Sequence, residues 1–330
     1  MSASCVTAPG KAVITGEYAV LRGAPAVVMA VNRRVVVRTS STAVHSRVTT
    51  PGFADGSWHF DASTGTVDWL DGSGPDIVEA VFAALPRVPF GALDISIDTR
   101  SFRDEQTAAK LGLGSSAAAT TALVAALVER GCASAELFRL ASAAHMNLQG
   151  GVGSGLDIAA SCAGGLIRFT RDDGVQDRLE WPAALHYRYF FSGASASTPA
   201  AISRAASIAD TDVALQDLLA SADAAATGIE TGDAASTLSA IEAYADALRS
   251  FDSTHRIGIY AAGHDEMLQH AGNTGVVYKP CGAGGGDIGI AVDTDADGLD
   301  AFTALAIDAG FVPLDLQMDN SGVTVEAPAL

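Results

Sequence analysis

Four short segments of this chain carry residue types that can hold and move an anion. The first is Lys110–Ser116, KLGLGSS. Gly112 and Gly114 lack a Cβ, so the backbone can turn tightly and let an anion approach its N–H groups. A helix behind such a loop leaves its first N–H groups unpaired and turns the positive end of its dipole forward. Ser115 or Ser116 could cap that helix, or place a hydroxyl on Mg²⁺. The pattern is neither GxxxxGK[ST] nor GxGxxG, so neither a P-loop nor a dinucleotide site is licensed. A tight strand–helix turn would use the same residues.

The second segment, Cys281–Asp287 or CGAGGGD, sets three consecutive glycines between two β-rich runs. A hairpin needs only one or two residues at positive φ, so this run suggests close approach by a ligand or by another chain segment. Lys279 beside it could neutralise an anion, although an exposed strand lysine is the ordinary explanation. In the third, Gly150–Ala160 or GGVGSGLDIAA, Asp157 stands just inside a helix start. That is a common place for a dipole partner. Flanked by Gly151, Gly153 and Gly155, the carboxylate has little covering it and could meet a substrate hydroxyl as base or orienting group. In the fourth, Ala8–Leu21 or APGKAVITGEYAVL, Lys11 precedes an apolar strand that would hold its ammonium in one place; alone it reads as a solvated lysine. His145 sits beside helix-compatible apolar residues and reads as a packed or capping histidine rather than a base. Trp58, Trp69 and Trp181 are too dispersed for an aromatic cage.

The elements around these segments follow from pattern. Residues 26–38 are rich in β-branched side chains and predict a strand. PGFADGSWHFDASTGT predicts a hairpin with long loops, and PDIVEAVFAALP a short helix between two prolines. LDISIDT alternates apolar and polar residues, as a half-buried strand does. KLGLGSS then runs into an alanine-rich helix that Gly131 could end. Further helices are expected over 134–146 and from about Ser154, then strands at LIRF and YRYFF. Residues 198–271 turn helical, VVYKP and IGIAV are short strands, 297–310 is a last helix, and FVPLDLQM and GVTVEA could close a sheet. The change of texture near 170–195 suggests two halves, 1–185 and 186–330.

Bulk composition narrows the partners. The chain has 330 residues, 20 Lys and Arg against 38 Asp and Glu, and a formal charge of −18. Such a surface repels nucleic acid and anionic lipid, while a few local cations and backbone N–H groups still admit a small anion. Cys5, Cys132, Cys162 and Cys281 form no CxxC pair, which suits reduced thiols in a cytoplasm. The N-terminus has no basic and apolar leader, and Ala117–Val128, the most apolar stretch, is too short to span a bilayer. A cytoplasmic chain is expected.

In this order, the segments resemble the GHMP kinase superfamily, which includes the galacto-, homoserine, mevalonate and phosphomevalonate kinases. APGKAVITGEYAVLRGAPAV is similar to its N-terminal motif, GLGSSAAATTAL to its ATP-phosphate motif, and KPCGAGGGDIGIA to its C-terminal glycine motif. Within the superfamily, GEYAVL, AHMNLQGGVGSGLDIAAS and FFSGASASTPAAI look most like phosphomevalonate kinases. The resemblance implies a mixed α+β, two-domain GHMP fold: an N-terminal ATP-binding α/β domain with a left-handed crossover, and a ferredoxin-like C-terminal domain, with the substrates in the cleft between. It implies ATP and Mg²⁺, a small phosphorylated alcohol as substrate, and the conversion of 5-phosphomevalonate to 5-diphosphomevalonate; a homodimer is allowed.

The same resemblance implies site roles. Asp157 matches the catalytic aspartate, and Lys11 and Lys110 match cations facing the transferring phosphoryl. Gly112, Leu113, Gly114, Ser115, Ser116 and Ala117 would hold the ATP phosphates, with Ser115 or Ser116 on the metal. Lys11, Glu17, Tyr18, Gly153, Ser154, Asp157, Ser195, Ser197 and Thr198, with Gly282, Ala283, Gly284, Gly285, Gly286 and Asp287, would line the acceptor side. Lys11 also separates the chain from mevalonate diphosphate decarboxylases, which lose that lysine. Met146 stands where mevalonate kinases usually carry a magnesium-binding Glu. One departure bears on the acceptor: the family often has a lysine before SAST, and Ala194 stands there, with Arg33, Arg34 or Arg204 as candidate substitutes. Mevalonate or another small alcohol is therefore the alternative acceptor, and a ligand sensor on the same scaffold the alternative of a different class.

Overall fold

The computed structural model describes residues 3–62, 66–87, 91–128, 132–151, 153–196 and 198–326. The chain opens with a long antiparallel pair, β1 (Ser4–Thr15) and β2 (Ala26–Ser41), whose register shifts between Pro9 and Gly10. Proline has no N–H for the ladder, which fits an irregularity at that step. β3 (Ser46–Thr49), β4 (Ser57–Asp61) and β5 (Asp68–Trp69) form the expected hairpin and its edge, followed by α1 (Asp76–Ala84) and β6 (Leu93–Asp98). Three helices follow: α2 (Ser115–Leu127), α3 (Ser134–Leu148) and α4 (Leu156–Ala163). β7 (Leu166–Thr170) returns to β2 and pairs with β8 (Gly174–Leu179).

The second sheet begins with β9 (His186–Phe191). α5 (Thr198–Ala206), α6 (Val213–Glu230), α7 (Ala234–His255) and α8 (His264–Thr274) precede β10 (Val277–Pro280) and β11 (Ile288–Asp293). α9 (Ala296–Asp308), β12 (Val312–Leu314) and β13 (Thr324–Glu326) end the described chain. The sheet runs β10-β11-β9-β12, every pair antiparallel. β13 leaves it and pairs with β1 at the edge of the first sheet, so the C-terminal strand closes the N-terminal half.

α2 is the pivot of the first layer. Ala117 to Val124 are buried on every side, so this helix has no polar face to turn to water. It packs on β1, β2, α3 and α4. Its alanines let it lie close against the sheet, while Gly114, Ser115 and Ser116 at its start are half-buried. α4 lies beside it on the same strands. The expected helix stop at Gly131 falls outside the described residues. β8 was not legible in the sequence: GVQDRL is polar and pairs only with β7. Among the described residues no helix is long and apolar enough to cross a membrane.

The two sheets are joined by an ion pair that water does not reach. Glu17, just after β1, is 3% exposed, and Lys279, on β10, is 0% exposed. The Lys279 ammonium donates to Glu17 Oε1, and it also reaches Val13 O at 3.4 Å. The expectation of an exposed strand lysine is thus corrected: Lys279 faces inward because a carboxylate waits there. Removing one partner leaves the other charge buried alone. Lys279→Met is expected to destabilise the protein by about 3–5 kcal/mol in urea unfolding, and Glu17→Leu/Lys279→Met to recover most of that loss.

Candidate active site

The loop between β6 and α2 is held from below by β1. Lys11 N–H donates to Leu113 O at 2.9 Å, and the Lys11 ammonium donates to Gly112 O at 3.3 Å. Gly114 is the N-cap of α2 with a left-handed backbone, and no side chain caps the helix. Ser115 and Ser116 therefore sit inside the first turn rather than capping it, and that turn itself carries no acidic residue. The result is a helix N-terminus whose free N–H groups and dipole favour an anion, reached by two partly exposed hydroxyls.

α4 starts close by. A Cβ placed on Gly114 would lie 3.3 Å from Lys11 Cε and 3.7 Å from Asp157 Cβ, so Lys11, Gly114 and Asp157 converge. The Asp157 side chain is 22% exposed. Its Oδ1 accepts from Ile158 N–H at 3.1 Å, and His145 Nδ1 lies 4.0 Å from that same oxygen. Lys110 is exposed, with its ammonium 5.7 Å from the centre of the Phe53 ring, while its carbonyl accepts from Ser195 Oγ at 3.1 Å.

The glycine run 282–286 approaches Lys11 at its first residue. A Cβ on Gly282 would lie 3.8 Å from Lys11 Nζ. Gly282 N–H donates to Glu17 Oε1 at 3.3 Å, Tyr18 Oη donates to Ala283 O, and Gly285 N–H donates to Ile259 O at 2.8 Å. Beyond the run, Asp287 Oδ1 accepts from Ala196 N–H at 3.0 Å, and Asp287 N–H donates to Ala194 O at 2.7 Å. Gly112, at φ 73°, gives the Asp287 carboxylate its room; a Cβ there would run into it. Burial pushes the Asp287 carboxyl above its ordinary value, opposed by the Ala196 N–H and by the Lys11 and Lys110 charges.

Residues 77–165 match the model of the GHMP kinases N-terminal domain. The chain is 30% identical to a phosphomevalonate kinase of a Streptomyces species, over 96% of this chain and 97% of that one. The chain belongs to the GHMP kinase family. It is also 33% identical to a mevalonate kinase of Methanothermobacter thermautotrophicus, over 50% of this chain and 49% of that one. The fold matches that of Streptococcus pneumoniae phosphomevalonate kinase, solved in complex with phosphomevalonate and AMPPNP. There the TM-score is 0.77 at 20% identity, covering 95% of this chain and 99% of that one.

A GHMP kinase is a phosphotransferase, and its parts are distributed here somewhat differently from the sequence expectation. Lys11, Gly112 to Ala117, Asp157 and Gly282 are brought together. Gly153 lines a cavity of about 290 Å³, and Ser154 lies between that cavity and α4, with its Oγ 3.4 Å from Leu156 N. The Glu17 carboxylate is turned into the core, where it meets Lys279 and Gly282 N–H. Ala283, Gly284, Gly285, Gly286 and Asp287 are engaged by Tyr18, Ile259, His264 and the 194–196 segment, so the glycine run admits other chain segments. Ser195 is exposed beside Lys110; Ser197 and the side chain of Thr198 lie outside the described residues. Arg34 is committed to Asp319, Thr7 and Gly322, which removes it as a substitute for the missing lysine.

Sequence reasoning missed two arginines. The cavity that Tyr18, Gly151 and Gly153 line also has Arg22 and Arg171 on its wall and Phe251 among its apolar residues. Arg22 is taken up by Asp210 and by Ile208 O at 2.9 Å. Arg171 is exposed and has no hydrogen-bond or ion-pair partner among the described residues, and nothing in LIRFTRDD marks it as a cavity residue.

His264 is a further unanticipated support. Its Nε2 donates to Gly286 O at 3.0 Å, and its Nδ1 accepts from Tyr278 Oη at 2.7 Å. Burial pulls this imidazole down from 6.5 to about 4. Between those two values the unfolded chain binds more protons than the folded one. Stability is therefore full above about pH 6.5 and falls as the pH drops towards about 4, by up to about 3 kcal/mol. Urea unfolding across that range is expected to show the slope in the wild type and a smaller one in His264→Gln, which keeps an N–H donor but takes up no proton.

Proposed function

We propose that this kinase transfers the γ-phosphoryl of ATP to 5-phosphomevalonate. An oxygen of the acceptor's phosphate attacks the γ-phosphorus, the bond to the bridging oxygen breaks, and ADP leaves with 5-diphosphomevalonate as product. The end-to-end likeness to the Streptomyces phosphomevalonate kinase carries this reading, and the cavity agrees with it.

The roles follow from position. The free N–H groups at the start of α2, with Gly112, Leu113, Gly114, Ser115, Ser116 and Ala117 around them, would receive the ATP phosphates. No group of three or more His, Cys, Asp or Glu side chains among the described residues could hold a metal. The serine hydroxyls nonetheless fit Mg²⁺, an ion that keeps few protein ligands and takes the rest from phosphate and water. Ser115 or Ser116 would hold it, and it would supply neutralising charge at the phosphates. Lys11 lies between Gly112, Gly114 and Gly282 and would face the charge developing on the transferring group. Lys110 would join it by leaving Phe53. The halves 1–185 and 186–330 would each supply one wall of the cleft.

The acceptor sets what Asp157 has to do. A phosphomonoester has lost most of its second proton by about pH 7, so little deprotonation is needed. Orientation would then be the larger task. With its phosphate at Lys11, phosphomevalonate extends a carboxylate away from the reaction centre. Arg171 is the uncommitted guanidinium on the cavity that Gly153 and Tyr18 line, and a guanidinium can grip a carboxylate with two hydrogen bonds. That would compensate for Ala194. Mevalonate is the second reading, favoured by the M. thermautotrophicus relative and by Ala194 itself.

Coupled ADP release with Mg-ATP is expected with phosphomevalonate and not with mevalonate; the reverse result would overturn the acceptor and keep the kinase. Asp157→Ala is expected to lower kcat by about 10²-fold or more. Arg171→Gln is expected to raise the KM for the acceptor about 10-fold or more with the KM for ATP unchanged, and an unchanged acceptor KM would remove Arg171 from the site.

A further inference from the structure

His145 lies in the last turn of α3 and is 2% exposed. Its Nε2 is buried without a hydrogen-bond partner. Its Nδ1 points at Asp157 Oδ1 from 4.0 Å, beyond hydrogen-bond reach. A buried ring nitrogen without a partner is uncommon in folded proteins and calls for a physical reason. Packing alone does not give one, because an apolar side chain would fill the same space without the unmet nitrogen.

The neighbouring carboxylate does. Asp157 Oδ1 already accepts from Ile158 N–H at 3.1 Å. A second donor on that oxygen would fix the plane of the carboxylate and leave Oδ2 as the free face. Only about 1 Å of approach separates His145 Nδ1 from such a bond, and contacts of this kind often tighten only when substrate is bound. The tautomer follows from the surroundings. An ionised carboxylate only accepts, so the proton belongs on Nδ1. The orphan Nε2 is then an unmet acceptor, which interiors tolerate better than an unmet N–H.

We propose that His145 is a positioning residue for Asp157, holding Oδ1 through an Nδ1–H bond so that Oδ2 faces the acceptor. The proposal rests on the reading of Asp157 as the carboxylate that meets the acceptor. Asn carries an N–H near the position of the histidine Nδ1, and Leu fills the space with no donor, so the two substitutions separate hydrogen bonding from packing.

The experiment measures kcat and both KM values for wild type, His145→Asn and His145→Leu, on whichever acceptor the wild type turns over. Thermal melting checks that each variant folds. His145→Leu is expected to lose about 10-fold or more in kcat with the KM for ATP unchanged, and His145→Asn to regain most of it. Placed on Asp157→Ala, His145→Leu should cost nothing further, because its partner is already gone. The ¹⁵N spectrum of the wild-type imidazole, which needs no turnover, should show the proton on Nδ1. A proton on Nε2, an Asn variant no better than Leu, or an added loss in the Asp157→Ala background would each overturn the proposal. A fully active Asp157→Ala would instead overturn the reading of Asp157, and the ¹⁵N spectrum would still report whether the contact exists.

Discussion

The buried pair between Glu17 and Lys279 is the constraint on which the geometry of the cleft rests. Two charges withdrawn from water are costly unless each is met by the other and by further hydrogen bonds. Here the lysine also reaches Val13 O, and Glu17 Oε1 also receives Gly282 N–H. Tyr244 donates to the Glu17 carbonyl at 2.8 Å, which fixes the turn from α7 as well. The pair joins residues 262 apart in sequence, from the end of β1 in one sheet to β10 in the other. Because neither charge can stand alone in the interior, the two sheets are held at one separation. Gly282 and Lys11 stay neighbours for the same reason.

From that anchor the site is assembled by backbone more than by side chains. The β6–α2 loop hangs on Lys11 N–H, the 194–196 segment hangs on Asp287, and Gly286 is held through its carbonyl by His264. Such contacts need close approach, and close approach needs missing Cβ atoms. That accounts for the glycines at 112 and 286, whose neighbours are Asp287 and the 194–196 backbone. Cys281, between these parts, is buried, and burial pushes its thiol up to about 12, so it packs and does not react. The frame leaves the first turn of α2 without a side-chain cap and holds the Lys11 ammonium on Gly112 O beside it.

The sequence made the local parts legible, because local parts are written in adjacent residues. The strand–glycine–helix step at KLGLGSS, the helix start at Asp157 and the hairpin around Trp58 all follow from short-range pattern. Long-range partnership was not legible. Glu17 and Lys279 read as ordinary motif and strand residues, since nothing near either one announces the other. His145 was read as packed, which its burial bears out, but the carboxylate it points at lies across a loop on another helix. Arg171 carries no sequence signal, because its place on a cavity wall is set by residues far from it in the chain. β13 resembled one more C-terminal strand, and only its register with β1 shows which sheet it completes.

The division between what is rigid and what is free suggests where acceptor choice resides. The N-terminal end of α2 is made of main chain and small side chains, a surface that would treat any nucleotide phosphate alike. The cavity lined by Gly151 and Gly153 is different: α5 and Tyr18 also wall it, and its polar chemistry lies in long side chains. A net charge of −18 disfavours any anionic acceptor at a distance. Arg171 is itself exposed, so it would act on a carboxylate through short paired hydrogen bonds rather than through a long-range field, which salt damps within about 8–10 Å. Under the proposed role of Arg171, a change of acceptor would leave Lys11 and the glycine loops as they are and would move a charge on the cavity wall.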